Sequence, residues 1–164
     1  MKKLLILTTI CILLAFSGCG GQPAAGFSEK DLTLTVAGKE YRARDNIETV
    51  IEALGDGYEY AEGMSCDYDG LDKTYTYEAA TFYTNPLAEG DLLAEIYSES
   101  PEAATSKGIS PGASKADVIA AYGDPAEQDE YLLIYRAGET PSPSLCFELE
   151  GDAVTAVFLT VDPV

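Results

Sequence analysis

The sequence predicts an α+β fold of two tandem repeats, each a helix followed by an antiparallel sheet, with both helices packed on one face of the sheet. Residues 48–57 and 116–125 carry Val, Ile, Ala, Gly and Asp at the same five places without a gap. Each segment has the spacing of a short amphipathic helix that stops at a glycine. Strand-like segments follow each one, as in the apolar–polar alternation of residues 145–150. One such unit buries little apolar surface, so two copies are expected to pack side by side.

The predicted elements follow in chain order. Residues 32–43 form a hairpin around an Ala-Gly turn. The first helix begins near Asp45 and the second at Ser114, because both side chains can accept hydrogen bonds from free backbone N–H groups. Residues 87–99 have the Leu, Ala and Glu content of a helix, whereas the repeat alignment makes residues 92–97 a strand. We follow the alignment.

The predicted organisation has five parts. A signal peptide (1–18) and a flexible tether (19–29) precede repeat one (30–100), a linker (101–113) and repeat two (114–164). The tether prediction rests on small residues that cannot pack a core. The linker prediction rests on its Pro and Gly content.

The N-terminus has the pattern of an export signal. A cationic start is followed by an apolar stretch over residues 4–16. This stretch is shorter than the roughly 18 residues of a membrane-spanning helix. Residues 16–19 (Phe-Ser-Gly-Cys) resemble the bacterial lipobox, and the resemblance implies cleavage before Cys19 and a diacylglyceryl group on its sulfur. The protein is then expected at the cell membrane, lipid-anchored and facing outside the cytoplasm. The alternative is an ordinary signal cut after Ser17.

Composition excludes several functions. Cleavage removes Lys2 and Lys3, which changes the formal net charge from −18 to −20. So acidic a chain cannot gather the cations that nucleic-acid phosphates require, and anionic headgroups repel it. The chain contains no histidine, which excludes His-dependent catalysis and His-ligated metal sites. We expect no cofactor.

Two cysteines remain beside the lipidated one. Cys66 and Cys146 lie in an exported protein, where oxidation is permitted, so they are candidates for one disulfide. The strand alternation directs Cys146 to the open sheet face beside Glu148. Cys66 alternates with polar neighbours and faces the helices on the same argument, in which case the two thiols cannot meet.

The repeats resemble a known fold. A helix, Leu-Gly or Tyr-Gly with Asp, and then a sheet, occurring twice, resemble the β-lactamase inhibitor protein, and the single repeat is similar to small BamE/SmpA-type envelope lipoproteins. Residues 65–77 are closer to uncharacterised lipoproteins of Gram-positive anaerobes. The resemblance covers nearly all of the chain after Lys30 and implies an open sheet face that binds another protein.

Tyrosines of repeat one are candidates for that binding face. Tyr75 and Tyr77 share one face of a regular strand, and tyrosine suits binding surfaces because it buries much area at low entropic cost. The alternative is that they fill a half-buried strand, for which tyrosine is equally suited.

An acidic turn is a weaker candidate for a cation site. Asp67, Asp69 and Asp72 surround a glycine, and closely spaced carboxylates can chelate calcium. The spacing is not that of an EF-hand, and an Asp-Gly hairpin turn explains it equally.

The sequence therefore predicts a non-catalytic, lipid-anchored module that binds an unknown protein partner. The alternatives are a carboxylate-dependent envelope hydrolase and a binder of small ligands or cations. The absence of histidine and of a glycine-rich phosphate loop counts against the enzyme.

Replacing Cys19 with Ala tests the anchor. Two acyl chains give stable membrane attachment, so the Cys19→Ala protein is expected to remain unprocessed or to be released from the membrane. Detergent-phase partitioning and intact mass measure both outcomes. A mature-sized Cys19→Ala protein in the detergent phase would contradict lipidation at this residue.

Overall fold

The computed structural model describes residues 26–139 and 142–161. The predicted signal peptide, Cys19 and the first part of the predicted tether lie outside the described residues. All secondary structure given below refers to the described ranges.

The chain folds into one large sheet, one small sheet and two short helices. The helices are α1 (Ile47–Leu54) and α2 (Lys115–Tyr122), and a 3-10 turn covers Glu29–Asp31. The strands are β1 (Leu34–Val36), β2 (Lys39–Tyr41), β3 (Glu59–Met64), β4 (Leu71–Thr76), β5 (Thr81–Leu87), β6 (Gly90–Ser98), β7 (Ala104–Thr105), β8 (Glu127–Gln128), β9 (Leu132–Arg136), β10 (Ser144–Glu150) and β11 (Ala153–Thr160).

The predicted pair of helix-plus-sheet repeats is wrong. The large sheet is a single antiparallel sheet of eight strands in the order β3-β4-β5-β6-β11-β10-β9-β8, and β2-β1-β7 form a second sheet of three strands. β6 pairs with β11 from Ser98 opposite Val157 to Glu95 opposite Thr160, so no boundary separates two sheets. The helices have eight residues each and contribute far less to the fold than the strands do.

The local helix signals in the sequence act largely as expected. Ser114 caps α2 by accepting a hydrogen bond from the Asp117 N–H at 3.1 Å. The cap of α1 is Asn46, one residue after the predicted Asp45. Asp45 instead accepts a hydrogen bond from the Arg42 N–H at 2.8 Å and closes the preceding turn. Both helices stop at a glycine with φ of +78°, a conformation that costs a residue with a Cβ.

The segment with conflicting signals is a strand. β6 lies between β5 and β11 in the large sheet, which confirms the strand predicted over residues 92–97. The backbone groups of a central strand are paired on both sides, and this tertiary pairing overrides a helical preference that is worth only a fraction of a kcal/mol per residue. The predicted hairpin before α1 is also confirmed, as β1 and β2.

The main core lies between one face of the large sheet and a layer made by both helices and the small sheet. Val50 of α1, Val118 of α2 and Leu34 of β1 are all fully buried in it. They pack against sheet residues such as Phe82 and Phe147. We call this face of the sheet the covered face.

The chain enters the domain beside α2. The Phe27 ring lies 6.0 Å from the Tyr122 ring and 5.6 Å from the Tyr135 ring. The Lys107 ammonium donates a hydrogen bond to the Gly26 carbonyl and lies 4.6 Å from the centre of the Tyr122 ring. These contacts hold the first described residues against the covered side of the molecule.

Tyr75 and Tyr77 do not form an open binding face, and that prediction is wrong. Tyr75 is 6% exposed and packs in the main core, edge-on to Tyr58 at 5.0 Å. The Tyr77 hydroxyl donates a hydrogen bond to the Gly55 carbonyl at 2.9 Å at the end of α1. Tyr75 pairs across the strands with Phe82, so it shares the covered face. Side-chain alternation places the two tyrosines together but cannot say which face of the sheet they occupy.

Truncating Tyr75 is expected to destabilise the fold. The Tyr75→Ala protein should lose about 3–5 kcal/mol of unfolding free energy, as buried aromatic residues do. Tyr83→Ala is the matched control, because Tyr83 lies on the next strand and is 38% exposed; its expected loss is about 1 kcal/mol or less. Denaturant unfolding measures both, and equal losses would contradict the assigned faces.

Candidate functional site

The other face of the large sheet carries a second apolar cluster. Ile134, Cys146 and Phe158 are buried in it, and Tyr97 and Leu132 pack against them. All of these residues belong to β6, β9, β10 and β11. The described helices and the small sheet contribute to the main core instead. We call this side the open face.

The strand register aligns this cluster into a row. Tyr97 is opposite Phe158, Phe158 is opposite Cys146, and Cys146 is opposite Ile134. Four neighbouring strands therefore present an unbroken apolar row across the sheet, about 14 Å long at the usual strand spacing. Directly paired side chains of this kind are in contact. Ile134, Cys146 and Phe158 are at most 7% exposed, so the row is a second, small core, and the half-buried Tyr97 lies at its end.

Charged side chains flank the row. Glu127 follows Ile134 at the β8 end. Glu95 lies one step along β6 in the parallel row Glu95-Thr160-Ser144-Arg136, and Glu148 lies two residues beyond Cys146. Arg136 forms an ion pair with Glu127. Among the described residues, carboxylates thus outnumber cations around the row.

Tyr97 joins the row to its acidic surroundings. Its hydroxyl lies 3.0 Å from a Glu99 carboxylate oxygen and 3.2 Å from a Glu148 carboxylate oxygen. It has one proton, so it donates to one carboxylate at a time. Burial, followed by these hydrogen bonds, raises the pKa of Tyr97. The phenol therefore stays neutral.

A shallow pocket of ≈ 240 Å³ opens beside Tyr97. Its lining includes Tyr83 and Tyr97 together with two exposed acidic residues, Glu78 and Glu99. Aromatic faces and carboxylates are the groups that hold a Lys or Arg side chain, through cation–π contact and charge-assisted hydrogen bonds. The pocket therefore has the chemistry of a receptor for a cationic side chain.

The structure does not bring Cys66 and Cys146 together. Both thiols are free; Cys66 is exposed and Cys146 is buried. Cys66 lies in the β3–β4 turn, and β4 and β10 are four strand positions apart in the sheet, about 19 Å at the usual spacing. A disulfide needs Cα atoms within about 7 Å, so this fold is not compatible with a bond between them. Cys146 lies on the same face as Glu148, as the alternation along β10 indicates.

The three aspartates of the acidic turn are not gathered either. Asp67 and Asp69 are exposed in the β3–β4 turn, where the Ser65 hydroxyl accepts a hydrogen bond from the Asp67 N–H at 3.4 Å. Asp72 lies in β4 and accepts a hydrogen bond from the Asn85 side chain at 3.3 Å. Within residues 26–139 and 142–161, no group of three or more His, Cys, Asp or Glu side chains is arranged to hold a metal ion.

Sequence reasoning missed the pocket of the open face. Glu78 and Tyr83 come from the turn before β5 and from β5, whereas Tyr97 and Glu99 come from the end of β6 and the residue after it. The two pairs meet because β5 pairs with β6. One part of the open face could be predicted. Cys146 and Glu148 alternate with Leu145 and Phe147 along β10, which places Cys146 and Glu148 together on the face opposite to the main core. The two-residue turn Gly151-Asp152 indicates the pairing of β10 with β11, but no local signal pairs β11 with β6.

The chain matches no protein-family model, no curated protein and no solved structure. No described helix is long and apolar enough to cross a membrane.

The two thiols are expected to differ in reactivity. Burial raises the pKa of Cys146 to about 12, and only a thiolate is an effective nucleophile. At pH 8 the folded protein should therefore be alkylated at Cys66 and spared at Cys146, and denaturation should expose both. Peptide mass mapping after iodoacetamide treatment measures this. A Cys66–Cys146 cross-link in unreduced protein would contradict the strand order.

Proposed function

We propose that this protein is a lipid-anchored, extracytoplasmic binding module whose open face binds a basic protein partner. The observation that carries the proposal is the pocket of Tyr83, Tyr97, Glu78 and Glu99 at the end of an apolar row. Centrally placed aromatic residues in a polar surround are typical of the energetically important part of a protein interface.

The charges select the partner. The pocket lining contains two carboxylates beside its tyrosine rings, and no cationic residue lies in that lining. Farther along the row, the carboxylates of Glu95, Glu127 and Glu148 accompany one cation among the described residues, Arg136, which pairs with Glu127. Complementary charge accelerates encounter and excludes acidic partners. A basic protein that inserts a Lys or Arg into the pocket meets both its tyrosines and its carboxylates.

The anchor supports this function. Lipid on Cys19 would keep the domain at the membrane, and the net charge of the mature chain, −20 after loss of Lys2 and Lys3 from the −18 total, would keep it from lying on anionic headgroups. The open face would then remain accessible to a partner at the cell surface.

Truncating Tyr97 tests the proposal. The full mature protein, in detergent, is used to capture envelope proteins from its own cells at low and high salt. A partner that meets the open face should be lost more than about tenfold from Tyr97→Ala, as expected for a residue of central importance in an interface. The Glu78→Gln, Glu99→Gln double variant should weaken capture and reduce its salt dependence.

Tyr131→Ala is the control, because Tyr131 is 64% exposed and lies two residues before Leu133, on the side of the covered face. It should capture the partner like the wild type. Thermal unfolding of each variant separates a lost contact from a lost fold. Capture that survives in Tyr97→Ala, or that is lost equally in Tyr131→Ala, contradicts the proposed binding face.

A further inference from the structure

β3 is an unprotected edge of the large sheet. It is the terminal strand, and all six of its residues are exposed. The opposite edge, β8, has only two residues, which is a common means of protecting an edge. β3 has neither Pro nor Lys (its sequence is Glu-Tyr-Ala-Glu-Gly-Met), so its outer side is open to another strand.

The hydrogen-bond ladder shows which backbone groups are free. The Ser65 N–H donates to the Gly70 carbonyl at 3.1 Å, in register with the β3–β4 pairing. Antiparallel ladders alternate, so Gly63, Ala61 and Glu59 also bond to β4. The residues between them, Tyr60, Glu62 and Met64, direct their N–H and C=O groups away from the sheet.

The same three residues project their side chains to one side. Tyr60 is opposite Tyr75, and it is 48% exposed, whereas Met64 is 79% exposed. Glu62 lies between them and its carboxylate accepts a hydrogen bond from the Tyr60 hydroxyl. An added strand would therefore meet an apolar, an acidic and an apolar side chain at alternate positions.

Local charge distinguishes a foreign strand from a second copy. Lys73, opposite Glu62, is paired with Asp91 at 2.5 Å, so Glu59 and Glu62 leave the edge acidic. Pairing with a second copy would place four of these carboxylates along about 14 Å of edge, and the Lys73 that each copy brings is already paired with Asp91. A foreign strand with Lys or Arg opposite Glu62 would be attracted to this carboxylate, whereas the carboxylates of a second copy would be repelled by it.

We propose that β3 accepts an extended segment of a basic partner as a ninth strand, with the pattern apolar–x–basic–x–apolar facing Tyr60, Glu62 and Met64. Backbone hydrogen bonds would provide affinity and the three side chains would provide selectivity, as in other cases of strand addition. This site is separate from the pocket beside Tyr97 and does not depend on it.

The test uses the peptide Thr-Val-Thr-Lys-Thr-Val-Thr, whose symmetric pattern fits either strand direction, and the full mature protein in detergent. Hydrogen exchange resolved to single residues is the readout. Saturating peptide should slow exchange of the Tyr60, Glu62 and Met64 amides at least about tenfold, because only these amides gain a partner. Ala61 and Gly63, already bonded to β4, should change little. The same peptide should not bind when it is N-methylated at those alternate residues whose N–H groups would face β3.

Two variants of Glu62 separate the contribution of its backbone N–H to peptide binding from the contribution of its charge. Glu62→Gln should weaken binding about two- to fivefold, as for an exposed ion pair. Glu62→Pro also removes an outward N–H while leaving the β4 ladder intact, and should weaken binding more than about tenfold. Equal affinity of the two variants, or peptide binding without protection at Tyr60 and Met64, overturns the proposal.

The remaining outcomes are also decisive. Concentration-dependent protection of these amides without peptide would identify a second copy as the occupant and overturn the proposal. If Glu62→Pro fails to fold, the N-methylated peptide on the wild-type chain gives the same comparison. Tyr97→Ala should bind the peptide normally, so failure at this edge is distinct from failure at the open face.

Discussion

The pairing of β6 with β11 is the constraint on which the architecture depends. These strands come from the middle and the end of the chain, and their pairing converts two groups of four strands into one sheet. One face of that sheet is large enough to be covered by both helices and the small sheet together. On the other face, the same pairing places Tyr97 beside Phe158, so the apolar row exists only because the two halves are joined there.

Local sequence signals predicted the helices and strands better than they predicted which face of the sheet each side chain occupies. The capping residue Ser114, the glycine stops of both helices and the alternation along β10 depend on nearby residues, and each was found where the sequence indicated. Tyr75 shows what such signals cannot supply. Alternation assigned it correctly to the same side as Tyr77, but the choice between covered and open faces depends on what packs against β4, which the chain brings from distant segments.

The similarity between the two helical segments explains the wrong fold class. It reflects shared local requirements, namely a short apolar stripe and a glycine stop, and these hold for any short helix laid on a sheet. The strands between and after them form one cooperative layer. The composition of residues 87–99 favours a helix, but the strand predicted over residues 92–97 is the one found, because tertiary pairing outweighs the preference of Ala and Glu for helix.

The packing of Phe27 sets how the domain is presented. Six residues separate Cys19 from Gly26, so the distance between these two Cα atoms is at most about 25 Å. The chain leaves the domain on the covered side, beside Tyr122 and Lys107. With the anchor on Cys19 as proposed, this short connection would orient the helical layer toward the lipid and the open face away from the membrane. The point of attachment would then determine the orientation of the domain on the membrane, and with it the surface that an approaching protein contacts first.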